Sequence, residues 1–168
     1  MTIGLISDTH SYLGDDTLKH LNDCDEIWHA GDIGSLDIFQ QIKHKTIRAV
    51  YGNIDSHEIR KEFPENNLFE IHGSKFLIRH ICGSAGKYNT ETRLLLKTHK
   101  PKVIIAGHSH ILRVEFFQNY NVLHLNPGAV GRHGFHQKRT LLKFEINENG
   151  ELKNMRVVDL GSRSKNQS

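Results

Sequence analysis

The first half of the chain alternates short apolar runs with stretches in which apolar residues recur at helical spacing. Short apolar runs predict buried strands, and their alternation with helical stretches is typical of β-α-β units. The expected elements are strands at residues 2–7, 25–30 and 46–51 and helices at residues 15–21 and 35–43. Asp15 or Asp16 is available to cap the first helix. The second helix would place Leu36, Phe39 and Ile42 on one face.

The second half of the chain is dominated by strand patterns. The expected strands cover residues 67–72, 75–81, 102–106, 113–118, 122–126, 139–146 and 151–160. Gly73-Ser74 and Asn149-Gly150 are hairpin turn signals, and one helix at residues 90–99 is stopped by Pro101. So many strands exceed a single sheet of ordinary size. We therefore expect an α/β protein in which two packed sheets are flanked by helices.

The length of 168 residues indicates one domain, because no linker-like stretch divides the chain. We place this domain at residues 1–160 and expect a flexible tail at residues 161–168, which lack apolar side chains. Cys24 and Cys82 form no CxxC pair and fit a reducing compartment. The chain starts without a basic leader and has no apolar run of 18 residues. We expect a cytoplasmic protein without membrane contact.

Composition adds two observations. The net charge is +3 and the pI is about 8.9, but the Lys and Arg residues are scattered and form no basic stripe. Nucleic acid is therefore not an expected partner. The chain has 13 histidines in 168 residues, which is well above ordinary usage.

Side chains that bind metals follow the ends of the predicted strands. In open α/β sheets, ligands bind beyond the carboxyl ends of the strands. The candidate ligands are therefore expected to meet at one edge of the fold. They are Asp8, His10, Asp32, Asn53, His80, His108 and His110.

Seven such groups are what two divalent ions with one shared ligand require. Two aspartates leave two dications with a net positive charge, which favours phosphate. Asn53 can ligate through its carbonyl oxygen while its NH₂ group donates to a phosphate oxygen. Taken singly, each segment has a simpler interpretation. Asp8 could cap a helix, Gly52-Asn53 is a common turn, and a lone His80 in an apolar strand is usually a core residue.

The order DxH, GD, GN, H, GHxH resembles the calcineurin-like metallophosphoesterases, in particular their small single-domain phosphodiesterase branch. Asn126-Pro127-Gly128 is similar to a late turn of that branch. The resemblance implies a four-layer α/β sandwich of two mixed sheets with a pair of divalent transition-metal ions, Mn first and Fe, Zn or Ni as alternatives. It implies that Asp32 bridges the two ions. The other ligands would be Asp8, His10 and His110 at one ion and Asn53, His80 and His108 at the other.

The resemblance also implies a reaction, hydrolysis of a phosphodiester by a hydroxide that bridges the two ions. Asn53 and His80 would stabilise the developing negative charge. Many members of the family carry His directly after the Asn, where it acts as general acid, whereas this chain has Ile54. The proton for the leaving group would then come from a weaker donor such as Asp55 or His57.

Two other functions remain open. The small retromer subunit uses this fold to bind proteins, so a protein-interaction module with little or no catalysis is the alternative. The complete ligand set weighs against it. A nuclease would need a basic channel or an appended domain. A small phosphate ester is the expected substrate, and the sequence leaves a homo-oligomer open.

Overall fold

The computed structural model describes residues 1–164, and within them the chain forms twelve strands, three α-helices and one 3-10 helix. In chain order the strands are β1 (Thr2–Ile6), β2 (Glu26–His29), β3 (Thr46–Ala49), β4 (Asn66–Ile71), β5 (Ser74–Arg79), β6 (Gly83–Ser84), β7 (Lys87–Tyr88), β8 (Val103–Ile105), β9 (Leu112–Phe117), β10 (Val122–Pro127), β11 (Lys138–Ile146) and β12 (Leu152–Ser162). The helices are α1 (Asp15–Leu21), the 3-10 helix (Leu36–Ile42), α2 (His57–Glu62) and α3 (Thr90–His99).

The strands form two mixed five-stranded sheets. The first has the order β12-β11-β1-β2-β3, and the second has the order β4-β5-β8-β10-β9. In the first sheet β1, β2 and β3 are parallel, and in the second β5, β8 and β10 are parallel. The carboxyl ends of the parallel strands of each sheet therefore lie at one edge of that sheet.

Three apolar layers hold the elements together. Between the sheets, Trp28 packs its ring edge-on against Phe76 and Phe144 at centroid distances of 5.1 and 5.6 Å. On the outer face of the first sheet, α1, the 3-10 helix and α2 contribute Leu21, Ile42 and Ile59. On the outer face of the second sheet, α3 contributes Leu96. This arrangement of helices, sheet, sheet and helix confirms the expected four-layer α/β sandwich.

Two helices differ in detail from the expectation. The segment expected as an α-helix over residues 35–43 is a 3-10 helix, capped by the Ser35 hydroxyl, which accepts from the N–H of Asp37 at 3.2 Å. Leu36, Phe39 and Ile42 are three positions apart, which matches the repeat of a 3-10 helix, and Ile38 adds a further buried side chain. The N-cap of α1 is Gly14 rather than Asp15 or Asp16, which lie in the first turn.

The sequence patterns missed the short elements. Helix α2 has six residues and buries only Ile59, so it has no amphipathic repeat. The two-residue strands β6 and β7 pair around Ala85-Gly86. Strand β12 continues to Ser162, and the backbone N–H of Arg163 donates to the carbonyl of Gln137. Strand β12 therefore runs two residues past the expected end at residue 160, and residues 165–168 of the expected tail lie outside the described part. None of the described helices is long and apolar enough to cross a membrane.

Candidate metal centre

Each candidate ligand lies in a loop that follows the carboxyl end of a strand. Strands β1, β2 and β3 are followed by Asp8 and His10, by Asp32 and by Asn53. In the second sheet, β5 is followed directly by His80, and β8 leads to His108 and His110. The two edges face each other across the sandwich, so residues from five distant segments of the chain meet in one cleft.

Most of these loops turn sharply at the ligand itself. Five of the seven candidate ligands have a left-handed backbone, with φ angles of 53° for Asp8, 44° for His10, 54° for Asp32, 65° for His108 and 58° for His110. This conformation costs residues other than glycine about 1 kcal/mol each, and such strain concentrates at functional sites. The stability of the rest of the fold offsets this cost, and the left-handed conformation directs these side chains into the cleft.

Glycines before the ligands make the close approach of the loops possible. At Gly31 the φ angle is +94°, and an added Cβ would lie 2.6 Å from Nδ1 of His80. A Cβ at Gly52 would overlap the carboxylate and the backbone nitrogen of Asp32. Glycine is therefore required in both pairs because a side chain would clash with a neighbouring loop. At Gly31 the positive φ angle requires it as well.

Asp55 holds two of these loops together. Its carboxylate is almost completely buried. It accepts hydrogen bonds at 2.7–3.1 Å from three backbone N–H groups, those of Ile33, Gly34 and Gly52. Both of its oxygens are engaged by backbone donors, and Asp55 is not among the residues that line the cavity at the cleft. The expectation that Asp55 protonates the leaving group is therefore wrong, because this side chain ties the Asp32 loop to the Asn53 loop.

Asp8, His10 and His110 form the first of two groups of potential metal ligands. Oδ2 of Asp8 accepts from the Ser7 hydroxyl at 2.6 Å and from the backbone N–H of His108 at 3.2 Å. Oδ1 of Asp8 lies 3.2 Å from Nε2 of His110. Within residues 1–164, this Oδ1 and Nε2 of His10 are buried without a hydrogen-bond partner. Buried polar atoms are rarely left unpaired, so their convergence fits a cation.

Asp32, His80 and His108 form the second group. Nε2 of His80 lies 3.1 Å from Oδ1 of Asp32. The side-chain oxygen of Asn53 lies 3.2 Å from the same nitrogen and 3.0 Å from Nδ1 of His108. These four side chains thus converge on one point.

The carboxylate of Asp32 stands between the two groups. Its Oδ1 faces His80 of the second group, and its Oδ2 lies 3.7 Å from Nε2 of His10 in the first. A carboxylate can offer one oxygen to each of two ions. Nitrogen and oxygen donors suit divalent transition metals, and the unpaired atoms of Asp8 and His10 point into the space between these ligands. The side chains present therefore fit a pair of divalent ions.

Hydrogen bonds at the far ring nitrogens orient two of the imidazoles. Nδ1 of His80 donates to the carbonyl of Ala30 at 2.7 Å, which leaves Nε2 facing the cleft. Nε2 of His136 donates to the carbonyl of Gly131 at 3.1 Å, so its Nδ1 accepts from Nδ1 of His110 at 3.0 Å. Nε2 of His110 then keeps its lone pair for a metal. Such partners fix the tautomer of a metal-binding histidine.

The electrostatics of the cleft favour an ionised carboxylate at its centre. Burial acts to raise the pKa of Asp32, but the hydrogen bond and charge of His80 and the N–H of Ile54 hold this pKa below its ordinary value. Burial acts to lower the pKa of His80, but Asp32 and Asp8 raise it above the ordinary value. The pKa of His10 is lowered, chiefly by burial. These shifts favour the ionised form of Asp32 and the neutral form of His10.

The cleft opens into a cavity of about 740 Å³. Its wall includes His133, Phe135, His136 and Lys138, which belong to the segment between β10 and β11 and its junction with β11. The ring of His133 lies 4.9 Å from that of His10, centroid to centroid. The metal motifs do not identify His133 and His136. Their position after the Asn-Pro-Gly turn allows two interpretations from sequence, a substrate rim or a solvent-facing loop, and the structure places both in the cavity wall.

Comparison with known sequences agrees with this geometry. Residues 1–149 match the family model described as the calcineurin-like phosphoesterase superfamily domain. A probable metallophosphoesterase of Methanothermobacter thermautotrophicus is 30% identical over 135 residues, and the alignment covers 77% of each chain.

Comparison with solved structures gives the same fold. An archaeal protein described as a novel phosphodiesterase is 26% identical, with a TM-score of 0.71 and coverage of 95% of this chain and 99% of that chain. Vps29 from Entamoeba histolytica complexed with Zn²⁺ is 17% identical, with a TM-score of 0.71 and coverage of 96% and 100%. At 17% identity, the second likeness shows a common fold.

Proposed function

Because the chain belongs to the calcineurin-like phosphoesterase superfamily, we propose that it is a phosphodiesterase that works with two divalent metal ions. The observation that supports this most directly is the position of Asp32. Its two oxygens face two separate groups of ligands, which is the arrangement that a shared ligand requires. A site for a single ion would leave one of these groups without a role.

The proposed ligands divide between the two ions as the family resemblance implies. Asp32 is shared. One ion is held by Asp8, His10 and His110, and the other by Asn53, His80 and His108. Two such ions supply Lewis acidity and an activated water at neutral pH. We take Mn as the first choice of metal, with Fe, Zn and Ni as the alternatives.

The side chains of the cleft bind and orient the phosphate. The carbonyl oxygen of Asn53 faces His80 and His108, so its NH₂ group is the donor left for a phosphate oxygen. Lys138 in the wall of the cavity is paired with Asp159 at an N–O distance of 2.8 Å, so the positive charge at the site comes from the metal ions. Two aspartates do not neutralise two dications, so the loaded site attracts an anion.

The cavity favours a diester over a monoester. Its rim carries Ile111, Leu112 and Phe135, and the side chain of Phe135 is fully exposed. An apolar rim next to a phosphate site can hold the second ester substituent, which a monoester lacks. The similarity to the archaeal phosphodiesterase supports the same choice.

The test begins with metal-free protein and adds each metal back. Elemental analysis counts the bound ions, and rates are compared for bis(p-nitrophenyl) phosphate and p-nitrophenyl phosphate. We expect two ions per chain and faster turnover of the diester. Asp32→Asn should lower kcat/KM by more than about 100-fold, whereas Asp37→Asn, which changes an exposed carboxylate on the 3-10 helix, should not.

Each part of the proposal can fail separately. If the protein holds only trace metal after reconstitution, the proposal that it is a metal-dependent enzyme is wrong. If it prefers the monoester, the assignment as a phosphodiesterase is wrong, but the assignment as a phosphoesterase is retained. Two bound ions without turnover of either substrate would favour a protein-interaction module on the same fold.

A further inference from the structure

Strand β9 is an edge strand with few of the features that usually protect such strands. It is the last strand of the second sheet, and in residues 1–164 only β10 pairs with it. The two strands pair in six consecutive positions without a bulge. Its sequence, Leu-Arg-Val-Glu-Phe-Phe, contains neither proline nor lysine. Natural edge strands are normally shortened, bulged or charged to prevent pairing with another chain.

One face of β9 exposes large apolar side chains. Leu112, Val114 and Phe116 are 36%, 46% and 54% exposed. In register they lie opposite residues of β10 that include Leu123 and Leu125, which contact or belong to the core between the sheets. The apolar layer between the sheets therefore continues to the protein surface at this edge, where it is exposed to solvent. A contiguous apolar patch of this kind is typical of an interaction site.

The opposite face of β9 carries a pair of opposite charges. Nη1 of Arg113 lies 2.6 Å from Oε2 of Glu115, and both side chains are close to half exposed. The charges stand one position before and one position after Val114. Two positions from Val114 on either side stand large apolar side chains, Leu112 and Phe116. One position from Val114 on either side stand opposite charges, Arg113 and Glu115.

This pattern selects one way of pairing two copies. In an antiparallel pair with its two-fold axis at Val114, Arg113 of each copy faces Glu115 of the other, and Leu112 faces Phe116. An axis at Arg113 or at Glu115 would set like charges against each other, as would parallel pairing in register. A shift by one residue would place apolar side chains opposite charged ones. Of these arrangements, only the axis at Val114 pairs opposite charges on one face of the strand and apolar side chains on the other.

We propose that two copies of this chain associate through β9 in this register. The result is a two-fold symmetric dimer with a continuous ten-stranded sheet. The two Arg113–Glu115 pairs form one cluster of four charges, and the apolar side chains cover each other. Phe116 of the partner subunit then lies over Leu112, which lines the cavity beside the metal centre. Dimerisation therefore extends the apolar rim proposed to hold the substrate.

The test exchanges the charges of Arg113 and Glu115 and measures the mass of the protein in solution. Sedimentation velocity of the full-length chain should show a dimer that dissociates on dilution, because a single strand pair is smaller than a standard interface of about 1,600 Å². Arg113→Glu and Glu115→Arg should each raise the dissociation constant at least about tenfold, since each sets like charges opposite one another. The double exchange R113E/E115R should restore the dimer.

A matched control exists at the other edge of the molecule. Lys153 and Glu151 form an exposed ion pair with an N–O distance of 3.1 Å near the start of β12, and the same exchanges there should leave the mass unchanged. Thermal melts of all variants check that each is folded. A wild type that stays monomeric at high concentration would overturn the proposal. A dimer that persists in both single variants, or that the double exchange fails to restore, would also overturn it.

Discussion

The two carboxylates of the metal centre have different surroundings. Oδ2 of Asp8 is held by Ser7 and by the backbone of His108, and Oδ1 faces His110. Asp32 faces both groups of ligands. We therefore expect the two residues to contribute differently to metal binding, although each is one aspartate at the end of a strand.

Substitution of the two aspartates should separate these roles. We expect Asp32→Ala to lose both ions, because each group then lacks its shared oxygen, and Asp8→Ala to lose or weaken one ion. Titration calorimetry with Mn²⁺ measures the stoichiometry, with Asp37→Ala as the control. Loss of a single ion in both variants would contradict the shared role of Asp32.

His136 offers a second test at a single side chain, because one of its ring nitrogens donates to the backbone and the other accepts from His110. His136→Gln keeps a group near Nε2 that can bind the carbonyl of Gly131, but removes the acceptor for His110. His136→Asn keeps a group near Nδ1 that can accept from His110. We expect the Gln variant to lower the affinity for one of the two ions about 10- to 100-fold, and the Asn variant to lower it less. Equal loss in both variants would mean that His136 acts only through packing.

The loops that follow the strands are the elements that carry the chemistry. The loop between β3 and α2 is anchored at both ends, because Asp55 binds the backbone of Gly52 and the Nε–H of Arg60 donates to the carbonyl of Asp55 at 2.8 Å. The N–H of Ile54 donates to Asp32 at 3.2 Å, while its side chain is 47% exposed. The backbone of this loop is fixed, and the side chain at position 54 is free to vary.

This geometry makes the lack of an imidazole at position 54 testable. Without a strong proton donor, kcat/KM should fall steeply as the leaving group of a phosphodiester becomes less acidic. Ile54→His places a ring in solvent beside Asp32 and should flatten the dependence, whereas Ile54→Leu should not change it. The measurement is the slope of log kcat/KM against leaving-group pKa. A flat plot for the wild type would indicate a competent acid, and His133 in the cavity wall would be the first residue to substitute.

Two buried histidines couple the stability of the whole molecule to pH. Burial lowers the pKa of His124 to about 4, with a further contribution from the charge of Arg113, and burial lowers the pKa of His29 to about 4 as well. The ordinary value in the unfolded chain is 6.5. Between these values the unfolded chain binds protons that the folded one does not. Stability is therefore full above pH 6.5 and falls as the pH drops toward 4.

For His124 the expected loss is at most about 3 kcal/mol. Urea unfolding of metal-free protein at pH 7.5, 6.5 and 5 measures it. His124→Asn keeps a partner for the hydroxyl of Tyr88, which lies 3.0 Å from Nδ1, and should reduce the dependence on pH. His44→Asn, which changes an exposed histidine, should leave the dependence as it is. An unchanged slope in the His124 variant would contradict the assignment.

The strands and the ligands at their ends could be predicted from the sequence, because both are local. A strand pattern is a property of about six neighbouring residues, and parallel strands bring their carboxyl ends to one edge. Asp8, Asp32 and Asn53 were found in this way. Helix α2 does not follow from such a pattern, because a helix with one buried residue carries no repeat. It is capped by Ser56, whose hydroxyl accepts from the N–H of Ile59, and Arg60 ties it to the preceding loop by donating to the carbonyl of Asp55.

The partners of each side chain were decided only in three dimensions. Asp55 has the residue type of a proton donor, but the Gly34 and Gly52 loops approach it and make it an acceptor. His136 lies 26 residues from His110 in sequence, so nothing local links the two rings. Local sequence determines the path of the backbone and which residue types stand at the strand ends. Which atoms then meet depends on how distant loops pack, and that decides which groups bind metal, which hold the loops and which remain free to react.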